Sequence, residues 1–275
     1  MIYELFGRQR MNAAAVFADM EDTTILSCLQ DYPGSHVWVD DIEHPTCAHA
    51  LMGGVGEGAA GFSFLAGDAE SPSARELVSV WPQENKGGCT LVPENKQWAK
   101  LIEEIFPESE KHTRYATSKT EHNFDRDILR SMAADPDGDL HIVRIDASMY
   151  DDIYAQHWAR DLVANFPDGE SYERMAVGFA CLHEGTVVGA ASCYTVYDKG
   201  IEIEIDTRED FRRRGIARAC AASIVLYALE NDLYPSWDAA NLMSLGLARS
   251  LGYIPAGEYP GYWLSAEKRE AERRD

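Results

Sequence analysis

The stretch that decides the reading is Ile201-Glu202-Ile203-Glu204-Ile205-Asp206-Thr207-Arg208-Glu209-Asp210-Phe211-Arg212-Arg213-Arg214-Gly215-Ile216-Ala217. Its first five residues alternate strictly, so a strand here sets three isoleucines on one side and two glutamates on the other. A polar turn follows, and then a helix from Gly215 to about Asn231. The small residues Gly215 and Ala217 let the backbone come close to a ligand that a larger side chain would block. A helix start points unpaired N–H groups outward and favours negative charge. Five arginines (Arg208, Arg212, Arg213, Arg214, Arg218) crowd this turn in a chain of formal net charge −21. Arginines in a first helical turn oppose the helix dipole by about 0.3–1 kcal/mol each, so a merely solvated helix start is the weaker reading. The segment predicts a pyrophosphate site over residues 212–217.

Working outward, the pattern stays orderly. Leu140–Ile145 alternates as a strand, Ala147 to about Phe166 reads as a helix, and Gly169–Met175 as a second, short one. Two strands, 176–183 and 186–197, form a hairpin about Glu184-Gly185. A short strand at Tyr234–Asp238, a helix over Asn241–Leu251 and a final hairpin over Tyr253–Leu264 complete this half. Upstream, Asp135-Pro136-Asp137-Gly138-Asp139 is the strongest punctuation in the chain. It divides an N-terminal α+β domain, 1–138, from an α/β domain, 139–275. In the first domain the opening ~30 residues read as helical on their spacing of apolar residues. Strands follow at 36–40, 48–52, 61–66 and 89–92, with a short helix over 73–81. Asn95 caps a helix running to Phe106.

The pattern Arg212-x-x-Gly215-x-Ala217 resembles the phosphate loop of the GNAT superfamily of N-acetyltransferases. A second segment, Asn241, Ser244, Gly252 and Tyr253, falls at the spacing of another family motif. Tyr234–Asn241 looks like the subgroup of zwittermicin-resistance-type acetyltransferases. The resemblance covers about residues 139–265. It implies a mixed, mostly antiparallel sheet flanked by helices and split by a cleft for acetyl-CoA. In that picture Ile205, Asp206 and Thr207 pair with the pantetheine arm. Arg212, Arg213, Arg214, Gly215, Ile216 and Ala217 hold the pyrophosphate, and Asn241 and Ser244 lie near the arm or thioester. The first domain, which also offers strands followed by a helix, is open to reading as a degenerate copy of the same fold, and its expected role is to wall the acceptor site or support the sheet.

The implied chemistry is direct attack by a primary amine on the thioester, and the amine must lose a proton as it attacks. A buried carboxylate serves as base; Glu202 and Glu204 are the candidates, against the alternative of two surface glutamates. The residue seven after Asn241 is Ala248, where many family members carry an acidic tyrosine. Any general acid then comes from elsewhere, with Tyr194, Tyr253, Tyr259 and Tyr262 unranked. That departure keeps a second function open: a CoA-binding sensor or pseudoenzyme without turnover. A protein–protein module with a vestigial cofactor site is a third.

Composition sets the outer limits. There are 11 basic and 23 acidic residues before Gly138, and 14 and 23 after it, so both halves are acidic. Nucleic-acid binding needs a basic face and is not expected; a cationic amine is a better partner. No apolar run of about 18 residues predicts a membrane span. The start lacks an export signal, and six scattered cysteines are expected to be reduced, in the cytoplasm. Gly56-Glu57-Gly58-Ala59-Ala60-Gly61 fits a dinucleotide fingerprint in letters only, since a strand follows it rather than a helix. His44, Cys47 and His49 match no familiar zinc spacing, so no metal is expected.

Overall fold

The computed structural model describes residues 1–53, 60–82, 87–136 and 138–268. The fold is mixed α/β, with two mostly antiparallel sheets flanked by helices. Contacts divide the chain into two compact units. One is Met1–Arg114 with the stretch from Glu258 onward; the other is Tyr115–Gly257.

The first unit begins with β1 (Tyr3–Glu4), α1 (Thr24–Leu29), β2 (Ser35–Val39), β3 (Cys47–Met52) and β4 (Gly61–Gly67). α2 (Ala74–Ser79), β5 (Cys89–Pro93) and α3 (Lys96–Ile105) follow. The strands lie in the order β1-β2-β3-β4-β5, antiparallel except for the parallel pair β4–β5. Leu51, Leu65, Leu77, Trp98 and Ile102 form its core. The Asn95 carboxamide oxygen caps α3 by accepting from the N–H groups of Gln97 and Trp98. The opening 30 residues are not one helix. A short 3₁₀ segment over Gly7–Ala13 and turns precede α1, because the buried Arg10 guanidinium donates to Leu5 O, Cys28 O and Ser35 and holds the chain folded back. Tertiary hydrogen bonds here override local propensity.

The second unit takes the end of β6 (Glu110–His122), then α4 (Arg126–Met132), β7 (Leu140–Arg144), α5 (Tyr150–Ala155) and α6 (Gly169–Met175). β8 (Gly178–His183), β9 (Thr186–Tyr197), β10 (Gly200–Thr207), α7 (Ile216–Glu230), β11 (Tyr234–Ser236), β12 (Asp238–Ala239) and α8 (Leu242–Leu251) follow, and the chain enters β13 (Tyr253–Leu264). The strands lie in the order β7-β8-β9-β10-β11, again antiparallel except for the last pair, β10–β11. The β8–β9 turn has φ +49 at Glu184 and +77 at Gly185, left-handed at both central residues as a tight hairpin requires. α7 packs on β8, β9 and β10 and takes α4 against it, where Arg126 donates to Leu229 O and Arg130 pairs with Glu230.

Three expectations are corrected. Residues 147–166 do not form one helix, since a straight helix would part residues 150 and 166 by about 24 Å. Instead Tyr150 Oη donates to Phe166 O at 2.5 Å, and the chain breaks into extended backbone at Gln156. Residues 253–264 form a single strand rather than a hairpin, because β5 pairs with its end at Tyr262–Leu264. The strand expected over 234–238 is divided: β11 pairs with β10, while β12 pairs with β6.

The two halves repeat one plan. β1-α1-β2-β3-β4-α2-β5-α3-β6 is matched by β7-α5-α6-β8-β9-β10-α7-β11-β12-α8-β13, which adds a second short helix and the two-residue β12; the order of the first five strands and the parallel pair are the same. The turn at 135–139 lies between these repeats, with Asp137 outside the described residues. The compact units divide elsewhere because each repeat's last strand is shared out: the end of β6 pairs with β12, and the end of β13 with β5. The fingerprint-like stretch 56–61 falls largely outside the described residues. Among the described residues, no helix is long and apolar enough to cross a membrane.

Candidate cofactor and catalytic site

β10 and β11 run together only from Gly200–Tyr234 to Glu202–Ser236. From Ile203 to Thr207 the β11 side of β10 has no pairing strand among the described residues. The opening between the two strands therefore begins at Glu202. On the other side, β9 stays paired with β10 through Gly189–Thr207, with a bulge that leaves Tyr194 without a register partner.

Past Thr207 the chain makes a tight corner. Arg213 (φ +65) and Gly215 (φ +81) are both left-handed, and Gly215 is the N-cap of α7 without any side-chain cap. The first helical bond is Ala219 N–H to Gly215 O. Among the described residues, the N–H groups of Arg213 through Arg218 meet no backbone or side-chain acceptor. A Cβ on Gly215 would meet only Arg218 Nη2, at 3.8 Å, so the corner is open. Ile216 is buried behind it, seated where Gly189 leaves room: a Cβ there would lie 2.5 Å from Ile216 Cγ2. A run of outward amides at a helix start, with basic side chains around it, is suited to a pyrophosphate.

The arginines divide the work. Arg208 forms a bidentate pair with Asp210 at 2.7 and 3.0 Å. Arg208 and Arg214 both stack on the buried Phe211 ring. Arg212 Nε donates to Thr207 O at 3.3 Å. Arg213 and Arg218 are exposed. Asp206 accepts the Thr207 N–H at 2.7 Å, and burial holds its carboxyl above the usual range.

Glu202 is 6% exposed and Glu204 is half-buried, two residues apart on the same face of β10. In register, Glu202 is flanked by Thr195 on β9 and Ser236 on β11. Both hydroxyls are buried without a hydrogen-bond partner, as is that of Thr207. The local sequence does not mark Thr195 or Ser236; only strand pairing brings them beside Glu202. Asn241 and Ser244 begin α8. The Asn241 side chain caps the helix by accepting the Ser244 N–H, and Ser244 Oγ accepts from Trp237 Nε1.

The tyrosines differ in what already holds them. Tyr253 is buried and donates to Pro235 O at 2.7 Å, and burial pushes its phenol far above the usual range. Tyr262 donates to Glu103, and Tyr259 accepts from Arg114. Tyr194 is buried at the bulge, where its carbonyl accepts from Asn165 Nδ2. Ala248 is fully buried. All six cysteines are free and buried, and burial pushes the Cys193 thiol up to about 12, which suits a core residue rather than a nucleophile. Among the described residues, no three His, Cys, Asp or Glu side chains gather as a metal site. Both ring nitrogens of His49 are taken, by Leu77 O and Ser63 Oγ.

Known proteins share this architecture. A GCN5-related N-acetyltransferase-like protein of Streptococcus suis is 39% identical, with a TM-score of 0.83 over 93% of this chain and 98% of that one. An uncharacterised N-acetyltransferase of Bacillus subtilis, YdfB, is 25% identical over 215 residues, 74% of this chain and 77% of the relative. A tandem GNAT protein from the clavulanic acid biosynthesis pathway shares the fold at 12% identity, with a TM-score of 0.54 over 97% of this chain and 99% of that one. The GNAT acetyltransferase family model matches residues 14–262. That match takes in most of both topological repeats, the open corner at Gly215 and the parting of β10 from β11, and the chain belongs to the GNAT acetyltransferase family, as an acetyltransferase enzyme.

Proposed function

We propose that this acetyltransferase moves an acetyl group from acetyl-CoA to a primary amine on a small, cationic acceptor by direct attack, with Glu202 as the base. The observation that carries the reading is the arrangement along β10. The buried Glu202, the stretch Ile203–Thr207 that no described strand pairs on the β11 side, and the open corner at Gly215 follow one another along the chain. Acetyl-CoA would supply the activated acetyl group as its thioester. The N–H groups of Arg213 to Ala217 suit its pyrophosphate, and the exposed Arg213 and Arg218 add charge. The edge of β10 near Ile205, which no described strand pairs on the β11 side, suits the pantetheine arm and offers a donor to the oxyanion.

The base must take a proton from an ammonium or amine near neutral pH. Burial favours a carboxylate that binds protons more readily than one in water. Glu202 is more buried than Glu204, which ranks it first. The net charge of −21 draws cationic acceptors toward the protein. Six buried free thiols fit a reducing compartment, and we infer a cytoplasmic location.

We infer further that residues 1–138 are a degenerate copy of the transferase half, 139–275. In the first repeat the parallel pair β4–β5 stays closed over five positions, Gly61–Leu65, instead of three. Glu94 accepts the Gly67 N–H and donates its own N–H to Leu65 O, which closes the strand end. The corner after β4 carries Asp68 and Glu70 where the second repeat carries arginines.

One observation favours the second reading, a CoA-binding sensor without turnover: Ala248 is a buried alanine, and Tyr253 is committed to Pro235. Thiol release from acetyl-CoA by the purified full-length chain, with polyamines, aminoglycosides and lysine peptides as acceptors, separates the two. Turnover that falls about 100-fold or more in Glu202→Gln, with acetyl-CoA affinity retained, supports the transferase. Tight binding without thiol release from any acceptor supports the sensor, and full turnover in both Glu202→Gln and Glu204→Gln removes the proposed base.

A further inference from the structure

We propose that Thr117 and Lys119 are positioning residues for the cofactor: from β6 they tie the Trp237 carbonyl and hold the chain away from β10 where β11 ends. The inference rests on the reading that the opening between β10 and β11 takes the pantetheine arm of acetyl-CoA. All the residues it uses as ties lie in the second unit.

Trp237 stands where the chain changes partner. Ser236, just before it, makes the last β11 pair with β10, at Glu202. Asp238, just after it, makes the first β12 pair with β6, at Ala116. Carrying that register back by one residue sets Thr117 opposite Trp237. There side chains take over from the backbone ladder. Thr117 Oγ1 donates to Trp237 O at 2.6 Å, and Lys119 Nζ donates to the same oxygen at 3.1 Å. Residues two apart on a strand share a face, so one face of β6 delivers both donors. A carbonyl oxygen has two lone pairs, and this one meets two donors from β6.

The choice of donors argues for a dedicated tie. Thr117 is fully buried and Lys119 half-buried. In a chain of formal net charge −21, Lys119 has no carboxylate partner among the described residues; its ammonium serves a carbonyl instead. A charged donor makes a hydrogen bond about twice as strong as a neutral one. Trp237 is also held at its ring, where Nε1 donates to Ser244 Oγ at the start of α8 and the indole packs on Tyr253. Fixed at both ends, it does not extend the β10–β11 pairing past Glu202, and the backbone of Ile203–Thr207 stays available to a ligand. The first repeat shows the opposite arrangement. Glu94, the residue just after β5, donates its N–H back to Leu65 O on β4, and the parallel pair stays closed there.

The test separates the arm of the cofactor from its phosphates. Acetyl-CoA and ADP are titrated calorimetrically into the full-length protein, into Thr117→Val and Lys119→Met, and into the double variant. ADP carries the pyrophosphate without the arm, so it reports an intact corner at Gly215. Acetyl-CoA affinity should fall by about two- to ten-fold in each single variant and about ten-fold or more in the double one, with ADP held within about two-fold. Thr117→Ser, which keeps the hydroxyl, and Lys119→Arg, which keeps a charged donor, should bind acetyl-CoA nearly as the wild type does. Unchanged acetyl-CoA affinity in the double variant would overturn the inference. Equal losses for both ligands would overturn it too, because the ties would then support the unit as a whole. Failure of the cofactor reading looks different: the wild type itself would bind acetyl-CoA no more tightly than ADP, and the inference would fall with that reading.

Discussion

Arg212 Nε donates to the carbonyl oxygen of Thr207 at 3.3 Å, tying the last residue of β10 to the start of the amide corner. Both Arg212 and Arg213 are exposed, but Arg212 is tied to the backbone and shapes the corner, whereas Arg213 adds charge beside it. A hydrogen bond of this kind contributes about 0.5–1.5 kcal/mol net, so Arg212→Ala should weaken acetyl-CoA binding by roughly two- to ten-fold. That loss should persist at high salt. Arg213→Ala should weaken binding mainly at low salt, because exposed charges are screened. Calorimetric titrations at low and high salt measure both, and the reverse pattern would exchange the two roles.

One acetyl-CoA should bind per chain, not two. The first repeat has the same topology, yet β4 and β5 do not part where β10 and β11 do. The N-cap of α2 is the buried Ser73, whereas α7 starts at the left-handed Gly215, where a Cβ would meet only Arg218 Nη2, at 3.8 Å. Asp68 and Glu70 would also repel a pyrophosphate. Calorimetric stoichiometry near one fits this reading; a value near two would mean that the first repeat also binds.

The second repeat was largely legible because its sequence is locally consistent. Strict alternation marked β10, Glu184-Gly185 marked the hairpin turn, and Gly215 and Asn241 marked the starts of α7 and α8. β6 was not legible: Glu110–His122 is almost wholly polar, and its pairing with β12 gives no periodic signal. The repeat was legible only as one reading of the first half, a degenerate copy of the same fold, since without β6 that half lacks its closing strand. Thr195 and Ser236 lie 41 residues apart in the chain, so their place beside Glu202 follows from strand register, which single-sequence alternation does not give.

His49 should make the protein acid-sensitive. Its Nδ1–H donates to Leu77 O, its Nε2 accepts from Ser63 Oγ, and burial lowers its midpoint to about 3. A base whose folded midpoint lies below the unfolded value of about 6.5 is held neutral by the fold. Its contribution is complete above that value and is lost as pH falls from 6.5 toward 3, at up to about 1.4 kcal/mol per pH unit. Melting temperatures from pH 7 to 4.5 should therefore fall more steeply in the wild type than in His49→Asn. Parallel slopes would mean that carboxylates alone set the acid response.

Tyr253 should prove structural rather than acidic. Its hydroxyl donates to Pro235 O, its ring packs edge-on against Phe124 and Trp237, and burial holds its proton tightly. A general acid must instead release its proton to the leaving group, a service worth about 10²–10⁴ in rate. Tyr253→Phe loses one buried hydrogen bond, about 1 kcal/mol, which lowers the melting temperature by about 2–4 °C in a chain of this size. Turnover should stay within about two-fold, far short of the loss expected on removing an acid. A 100-fold fall in kcat with an unchanged melting temperature would instead make Tyr253 the acid that takes the place left by Ala248.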